Sequence, residues 1–280
     1  MIRSVAGLRA RLAEERGGGA TSVALVSTIG ALHAGHEALI REAGRRADVV
    51  VVSSFLNPLR FASAAELAAY PRTPEADARM LERLGVDVVF APEPAELLPA
   101  GHDTTRISAG DHGLRHEGRG RPRYFDGLLT VEAMLLQLIR PEVAVYGLRD
   151  RQRVFLVERM VRDLFFGVEI ATVETVRDPS GLPVSSRVSM LEGADLAAAT
   201  RLPVALEAAA SCADRGVDAC IAAAQSALMG QPRIRLEYLA VIDPHTFLPA
   251  DEGHSGPALA LIAATVAGHR FIDNVEIYLH

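Results

Sequence analysis

Apolar runs alternate with amphipathic segments through the first two thirds of the chain. "SVALVS" (22–27), "DVVVVSSFL" (48–56), "DVVFAP" (87–92), "EVAVYG" (142–147) and "VEIATVET" (168–175) read as strands. Between them the period changes to that of helices. One helix is expected from about Gly35 to Ala47. "EADARMLERLGV" repeats its apolar residues at Ala76, Met80, Leu81 and Leu84, a helical spacing. "FDGLLTVEAMLLQLI" reads as a long buried helix, and another separates the last two strands. Strands that are continuous Val/Ile/Leu runs, each followed by a helix, specify a parallel sheet covered on both faces. Such sheets bind ligands at the carboxyl ends of their strands. The polar motifs of this chain fall there, after residues 27, 56 and 147.

The pattern shifts near residue 178. "RDPSGLPVSSR" is rich in turn formers, and Ala-rich helices follow over 192–229. "RIRLEYLAVIDP" and "PALALIAATVAGHRFIDNVEI" then suggest a small α+β unit. The expected organisation is a parallel-sheet α/β domain over 1–177 and a smaller α+β domain over 178–280. Composition fits a globular protein: 49% of the 280 residues are hydrophobic and 23% charged. The net charge of −6 argues against a nucleic-acid-coating role. The basic run Arg115, His116, Arg119, Arg121, Arg123 lacks aromatic interleaving and reads as a solvated or substrate-rim loop. Cys212 and Cys220 have no metal spacing and read as core thiols of a reducing compartment. No apolar run reaches the roughly 18 residues of a membrane span, and no leader pattern opens the chain. A cytoplasmic protein without membrane or nucleic-acid partners is expected.

Three stretches carry candidate chemistry. In "TIGALHAGH" (28–36), His33 and His36 lie three residues apart where a strand turns into a helix. A helix start attracts anions through its free N–H groups and dipole, and two imidazoles there would make a phosphate clamp. A metal pair or two exposed polar histidines are the plainer readings. Ser185, Ser186 and Arg187, in "GLPVSSRVSML", suit a mobile phosphate loop or a simple turn. In "YGLRDRQR" (146–153), Arg149 and Asp150 could meet phosphate and ribose, or Asp150 could serve the start of a helix.

The first stretch resembles the HxGH signature of the nucleotidyl-transfer superfamily, which includes the class I aminoacyl-tRNA synthetases. Nearly end to end, the chain resembles the pantothenate synthetase (pantoate–β-alanine ligase) family. "TIGALHAGH" is similar to TMGALHxGH, "SSFLNPLRF" to SIFVNPxQF, "RPRYFDGLLTV" to RPGHFxGVxTV and "YGLRDRQR" to FGEKDYQQ. "YPRT" (70–73) is unaltered, and "VRDPSGLPVSSRVSML" resembles VRExDGLAxSSRNxYL. "YLAVIDPHTF" and "RFIDN" resemble YxxxxDPxTL and RLIDN. The resemblance implies a Rossmann-like HxGH nucleotidyl-transferase domain, a C-terminal lid domain carrying the SSR loop, and a homodimer formed through the N-terminal domain. It implies a two-step reaction. ATP with Mg²⁺ adenylates a carboxylic acid and releases pyrophosphate; an amine such as β-alanine then displaces AMP. His33 and His36 would stabilise the α-phosphate, and Arg149, Ser185, Ser186 and Arg187 would hold phosphates. Gly30, Gly147 and Asp150 would line the nucleotide site. Ile29, Asn57, Arg60, Tyr70, Tyr124 and Arg153 would face the acid. No metal ligand is assigned.

The acid pocket departs from the pattern. Arg60 and Arg153 stand where the family has two pantoate-binding glutamines, Tyr124 replaces a histidine, and Ile29 a methionine. Arg149 replaces a lysine, Arg123 a glycine and Val188 the asparagine after SSR. Glutamine donates and accepts; arginine only donates and is charged. The leading expectation is therefore an altered, more anionic acid held between Arg60 and Arg153. The alternatives are a genuine pantoate–β-alanine ligase and a non-catalytic nucleotide-binding paralogue. The arginines could instead pair with Asp150, Glu132 or another local acid.

Overall fold

The computed structural model describes residues 1–61, 63–99 and 104–280. Their contacts group into two units: Met1–Leu148 with Leu156–Glu174, and Arg149–Phe155 with Thr175–His280. The division at 174/175 lies three residues before the expected 177. Residues 149–155, expected in the first domain, group with the second unit. Two contacts within that unit explain this. Phe155 packs against Phe247 with ring centroids 5.0 Å apart, and the Asn274 amide donates to the Arg149 carbonyl at 3.1 Å.

The first unit begins with α1 (Val5–Gly17), then β1 (Val23–Thr28), α2 (Ala34–Arg46), β2 (Val49–Ser54), α3 (Ala64–Ala69), α4 (Pro74–Arg83) and β3 (Val88–Phe90). It continues with α5 (Pro94–Leu97), α6 (Tyr124–Ile139), β4 (Val143–Gly147), α7 (Arg151–Asp163), whose first residues belong to the second unit, and β5 (Glu169–Val173). The five strands are parallel, in the order β3-β2-β1-β4-β5. Val23 pairs with Val49 and Thr28 with Ser54, so β1 and β2 end together. Strand order reverses between β1 and β4. That is the switch point at which parallel sheets open a crevice for ligands. Alternate residues Ala24, Val26, Val50, Val52, Val143 and Val145 pack on Ile40 and Ala43 of α2. Twelve of the sixteen α6 residues are buried, which is why its apolar pattern runs all round.

The second unit holds α8 (Gly193–Ala199), α9 (Arg201–Ala210), α10 (Val217–Leu228) and the antiparallel sheet β6 (Ile234–Ile242), β7 (Gly256–Val266), β8 (His269–Leu279). Both faces of β7 are covered. Ala260, Ile262 and Ala264 join the α9 and α10 cluster, while Leu259 and Leu261 pack with Ile242 and Phe247. Cys212 and Cys220 are buried thiols. Among the described residues, no helix is long and apolar enough to cross a membrane.

Candidate active site

His33 is the N-cap of α2, with extended backbone at φ −147° and ψ 177°. Its Nδ1 accepts the Gly35 N–H at 3.1 Å, and Nδ1 of His36 accepts the His33 N–H at 3.2 Å. A ring nitrogen that accepts a hydrogen bond carries no proton, so each neutral ring holds its proton on Nε2. The two rings lie 4.1 Å apart between centroids. The spacing therefore fixes a tautomer as well as a position: two Nε2–H donors at one helix N-terminus. Gly35 makes this possible, because a Cβ there would lie 2.9 Å from Cε1 of His33.

The turn before His33 is held from outside itself. Gly30 has φ +88° and Ala31 +51°, a left-handed path. Asp77 of α4 accepts the Ala31 N–H at 3.0 Å, the Leu32 N–H at 2.9 Å and the Thr73 hydroxyl at 2.8 Å. Tyr70 donates its hydroxyl to the Gly30 carbonyl at 3.3 Å. Ile29 is half-buried beside them. Asp77 is missing from the sequence-derived candidates, yet it left a signal: it is an acid on the buried face of α4, four residues before Leu81.

Asn57 is 2% exposed. Its amide donates to the Gly127 carbonyl at 2.8 Å and its oxygen accepts the Leu59 N–H at 3.0 Å, tying the end of the β2 strand region to α6. A Cβ on Gly127 would stand 2.7 Å from the Leu59 carbonyl oxygen, so that contact requires glycine. Arg60 donates to the Tyr124 hydroxyl at 2.7 Å. Arg121 stacks on the same ring with its guanidinium carbon 3.8 Å from the centroid. Two departures from the family pattern, Arg60 and Tyr124, thus meet one another. Glu132 is buried and accepts the Ser27 hydroxyl at 2.9 Å and the Tyr146 hydroxyl at 3.0 Å. These two hydroxyls stand on β1 and β4, the strands flanking the switch point. Gly147 closes β4 beside them.

The remaining candidates belong to the second unit. The Asp150 carboxylate accepts the Arg153 N–H at 3.1 Å, so it caps the start of α7. Arg149 donates to the Val184 carbonyl at 3.1 Å, which brings its guanidinium to the root of the Ser185–Ser186–Arg187 loop. Ser185 accepts the Val188 N–H at 3.3 Å, Ser186 is half-buried and Arg187 is exposed. The turn that leads into this loop is closed by Asp178, which accepts the Ser180 hydroxyl at 2.5 Å and the Leu182 N–H at 3.1 Å. The Ser180 hydroxyl bond is the main reason its carboxyl lies below the usual range. Arg177 forms a two-pronged pair with Asp273 at 2.7 and 2.9 Å. Burial pushes the Asp273 carboxyl up, against the pull of Arg177. Among the described residues, no group of three or more His, Cys, Asp or Glu could hold a metal ion.

Residues 1–276 match the family model described as pantoate-beta-alanine ligase. Pantothenate synthetase of Leifsonia xyli subsp. xyli is 47% identical over 261 residues, 93% of this chain and 90% of its own. That of Acidothermus cellulolyticus is 44% identical over 282 residues, covering 99% and 91%. The crystal structure of pantothenate synthetase from Thermus thermophilus superposes with a TM-score of 0.90 at 38% identity, covering 99% of both chains. Pantoate-beta-alanine ligase from Francisella tularensis, complexed with beta-gamma ATP and beta-alanine, superposes with a TM-score of 0.79 at 29% identity, covering 98% of this chain and 97% of that one.

Proposed function

The chain belongs to the pantoate–β-alanine ligase family, ligases that form an amide bond as ATP is cleaved to AMP and pyrophosphate, and from that premise we propose that its own substrates are pantoate and β-alanine. The expectation of a more anionic acid gives way to this alternative on two grounds. The relatives at 47% and 44% identity are named pantothenate synthetases. Arg60, half of the argument for an added anion, already has a partner in the Tyr124 hydroxyl.

The observation that carries the mechanism is the pair of Nδ1 acceptor bonds at the α2 N-terminus, which leaves each neutral imidazole its proton on Nε2. The pantoate carboxylate attacks the α-phosphorus of ATP, the bond to the pyrophosphate oxygen breaks, and pyrophosphate leaves. His33 and His36 donate to the α-phosphate oxygens where charge builds up. Arg149, Ser185, Ser186 and Arg187 hold the leaving phosphates, the last three on a loop that acts as a lid. Gly30, Gly147 and Asp150 line the nucleotide site. Ile29, Arg60, Tyr70, Tyr124 and Arg153 shape the acid site, with Asn57 bracing it from within. The neutral amine of β-alanine then attacks the acyl carbon, loses its extra proton and displaces AMP. Mg²⁺ would be held chiefly by the triphosphate itself and would supply positive charge to the leaving phosphates.

Pantoate-dependent ATP–pyrophosphate exchange tests this reading. His33→Ala and His36→Ala are expected to lower exchange by about 10²–10³-fold while the fold is retained. Exchange unchanged in both variants overturns the role of the pair. Exchange with hydroxy-dicarboxylates or phosphorylated acids but not with pantoate overturns the substrate. ATP binding without exchange for any acid overturns catalysis.

A further inference from the structure

We propose that Asp273 and Asn274 of β8 are positioning residues that set Arg149 and the SSR loop from one anchor. The proposal rests on the reading of Arg149 and Ser185–Ser186–Arg187 as the phosphate-holding set. Adjacent residues on a strand point to opposite faces, so one dipeptide can reach two neighbours. On one side, the Asp273 carboxylate takes both prongs of Arg177 at 2.7 and 2.9 Å. The same guanidinium donates to the Gly181 carbonyl at 2.9 Å, across the turn that begins the SSR loop. The edge of that turn is closed by the Val184 N–H on the Val176 carbonyl at 2.9 Å. On the other side, the Asn274 amide donates to the Arg149 carbonyl at 3.1 Å, and its oxygen accepts Nε of Arg151 at 3.3 Å. Arg151 also pairs with Glu276. The circuit closes where the Arg149 guanidinium donates to the Val184 carbonyl at 3.1 Å.

Every link in this ring is polar and directional, and two of its members are nearly inaccessible: Asp273 is 4% exposed and Asn274 6%. Packing alone does not ask for an ion pair and an amide at adjacent buried positions; burying such groups costs stability unless each is partnered. The arrangement fixes the backbone of Arg149 and the root of the loop relative to the same two residues. A small displacement of the anchor would therefore move the guanidinium and the two serine hydroxyls together. Geometry of that kind is felt strongly in transition-state contacts, where a shift of about 1 Å can cost around a hundredfold in rate.

The test measures exchange and full turnover with ATP varied at saturating pantoate and with pantoate varied at saturating ATP, alongside thermal unfolding of the full chain. In Asn274→Ala the KM for ATP should rise, or kcat fall, about tenfold, while the KM for pantoate changes less than twofold. Asn274→Gln, which keeps the amide donor, should recover part of the loss. Asp273→Asn should give the larger defect and Asp273→Glu a smaller one. If the Asp273 variants do not fold, the Asn274 pair decides. A lowered Tm with unchanged ATP kinetics per folded molecule overturns the proposal. Ser186→Ala and Arg187→Ala separate it from the reading beneath it. If they leave the ATP kinetics unchanged, the loop does not hold phosphate. If they impair ATP use and the Asn274 variants do not, the loop's role stands and the anchor's falls.

Discussion

At the scale of single residues, Gly35 carries as much of the site as the histidines it separates. Its amide hydrogen holds Nδ1 of His33, and its missing side chain leaves room for that ring. Gly35→Ala would place a Cβ 2.9 Å from Cε1 of His33, and the ring, as the softer partner, would swing away. Exchange activity is expected to fall by about tenfold or more, with Tm changing little, since alanine is at least as good a helix former as glycine. Equal activity in that variant would show that ring placement is not limiting. Tyr70 and Asn57 illustrate a different lesson. Motif resemblance marks both as facing the acid, but their polar atoms hold the Gly30 and Gly127 carbonyls. Both therefore also brace the backbone around the proposed acid site. Asp77 does the same for the Ala31 and Leu32 amides.

At the scale of elements, the ends of the parallel strands are tied by carboxylates that titrate low. Asp48, just before β2, accepts the Thr21 hydroxyl at 2.8 Å, the Thr21 N–H at 2.9 Å, and the Ser22 N–H and hydroxyl at 3.0 Å, just before β1. These bonds, the Thr21 hydroxyl foremost, lower its pKa from 3.8 to about 2. Glu37, on the first turn of α2, is held down to about 2 by Arg83 of α4 and then Arg41. A carboxyl whose pKa falls on folding stabilises the protein above its unfolded value and loses that contribution as pH falls through the folded one. Stability should therefore decline as pH falls from about 4 to about 2. Asp48→Asn should flatten that part of the curve in denaturant titrations at stepped pH. An unaltered slope would show that the strand-end bonds do not contribute. Elements of the second unit use turns in the same way. Asp243 accepts the His245 N–H and the Thr246 hydroxyl, both at 2.9 Å, and turns Phe247, 1% exposed, into the core. The "IDPHTF" resemblance is thus structural in its effect.

At the scale of the whole molecule, the family relationship leads us to propose a homodimer formed through the first unit; sedimentation at micromolar concentration should give about twice the mass of one 29.9 kDa chain. A monomer across that range would remove the proposal. The five parallel strands, the helices α2, α4, α6 and α7 and the smaller α+β unit are legible from the chain because each follows from local period or from Val-rich runs that only a doubly covered sheet can bury. The helix α1 is not, since only Leu8 and Leu12 of it are buried and two positions make a faint stripe. The reaction type is equally legible, because the side chains within HxGH, and those within SSR, each lie within a few positions of one another. Local pattern leaves open which polar residues answer one another across long separations. Arg60 reads as an extra charge until Tyr124, 64 positions away, supplies its partner. Arg177 and Asp273 are 96 positions apart, and the grouping of residues 149–155 with the second unit depends on Asn274 and Phe247. Period and motif are local properties of a chain. A hydrogen bond depends on distances of about 3 Å, and only the tertiary fold brings those residues that close.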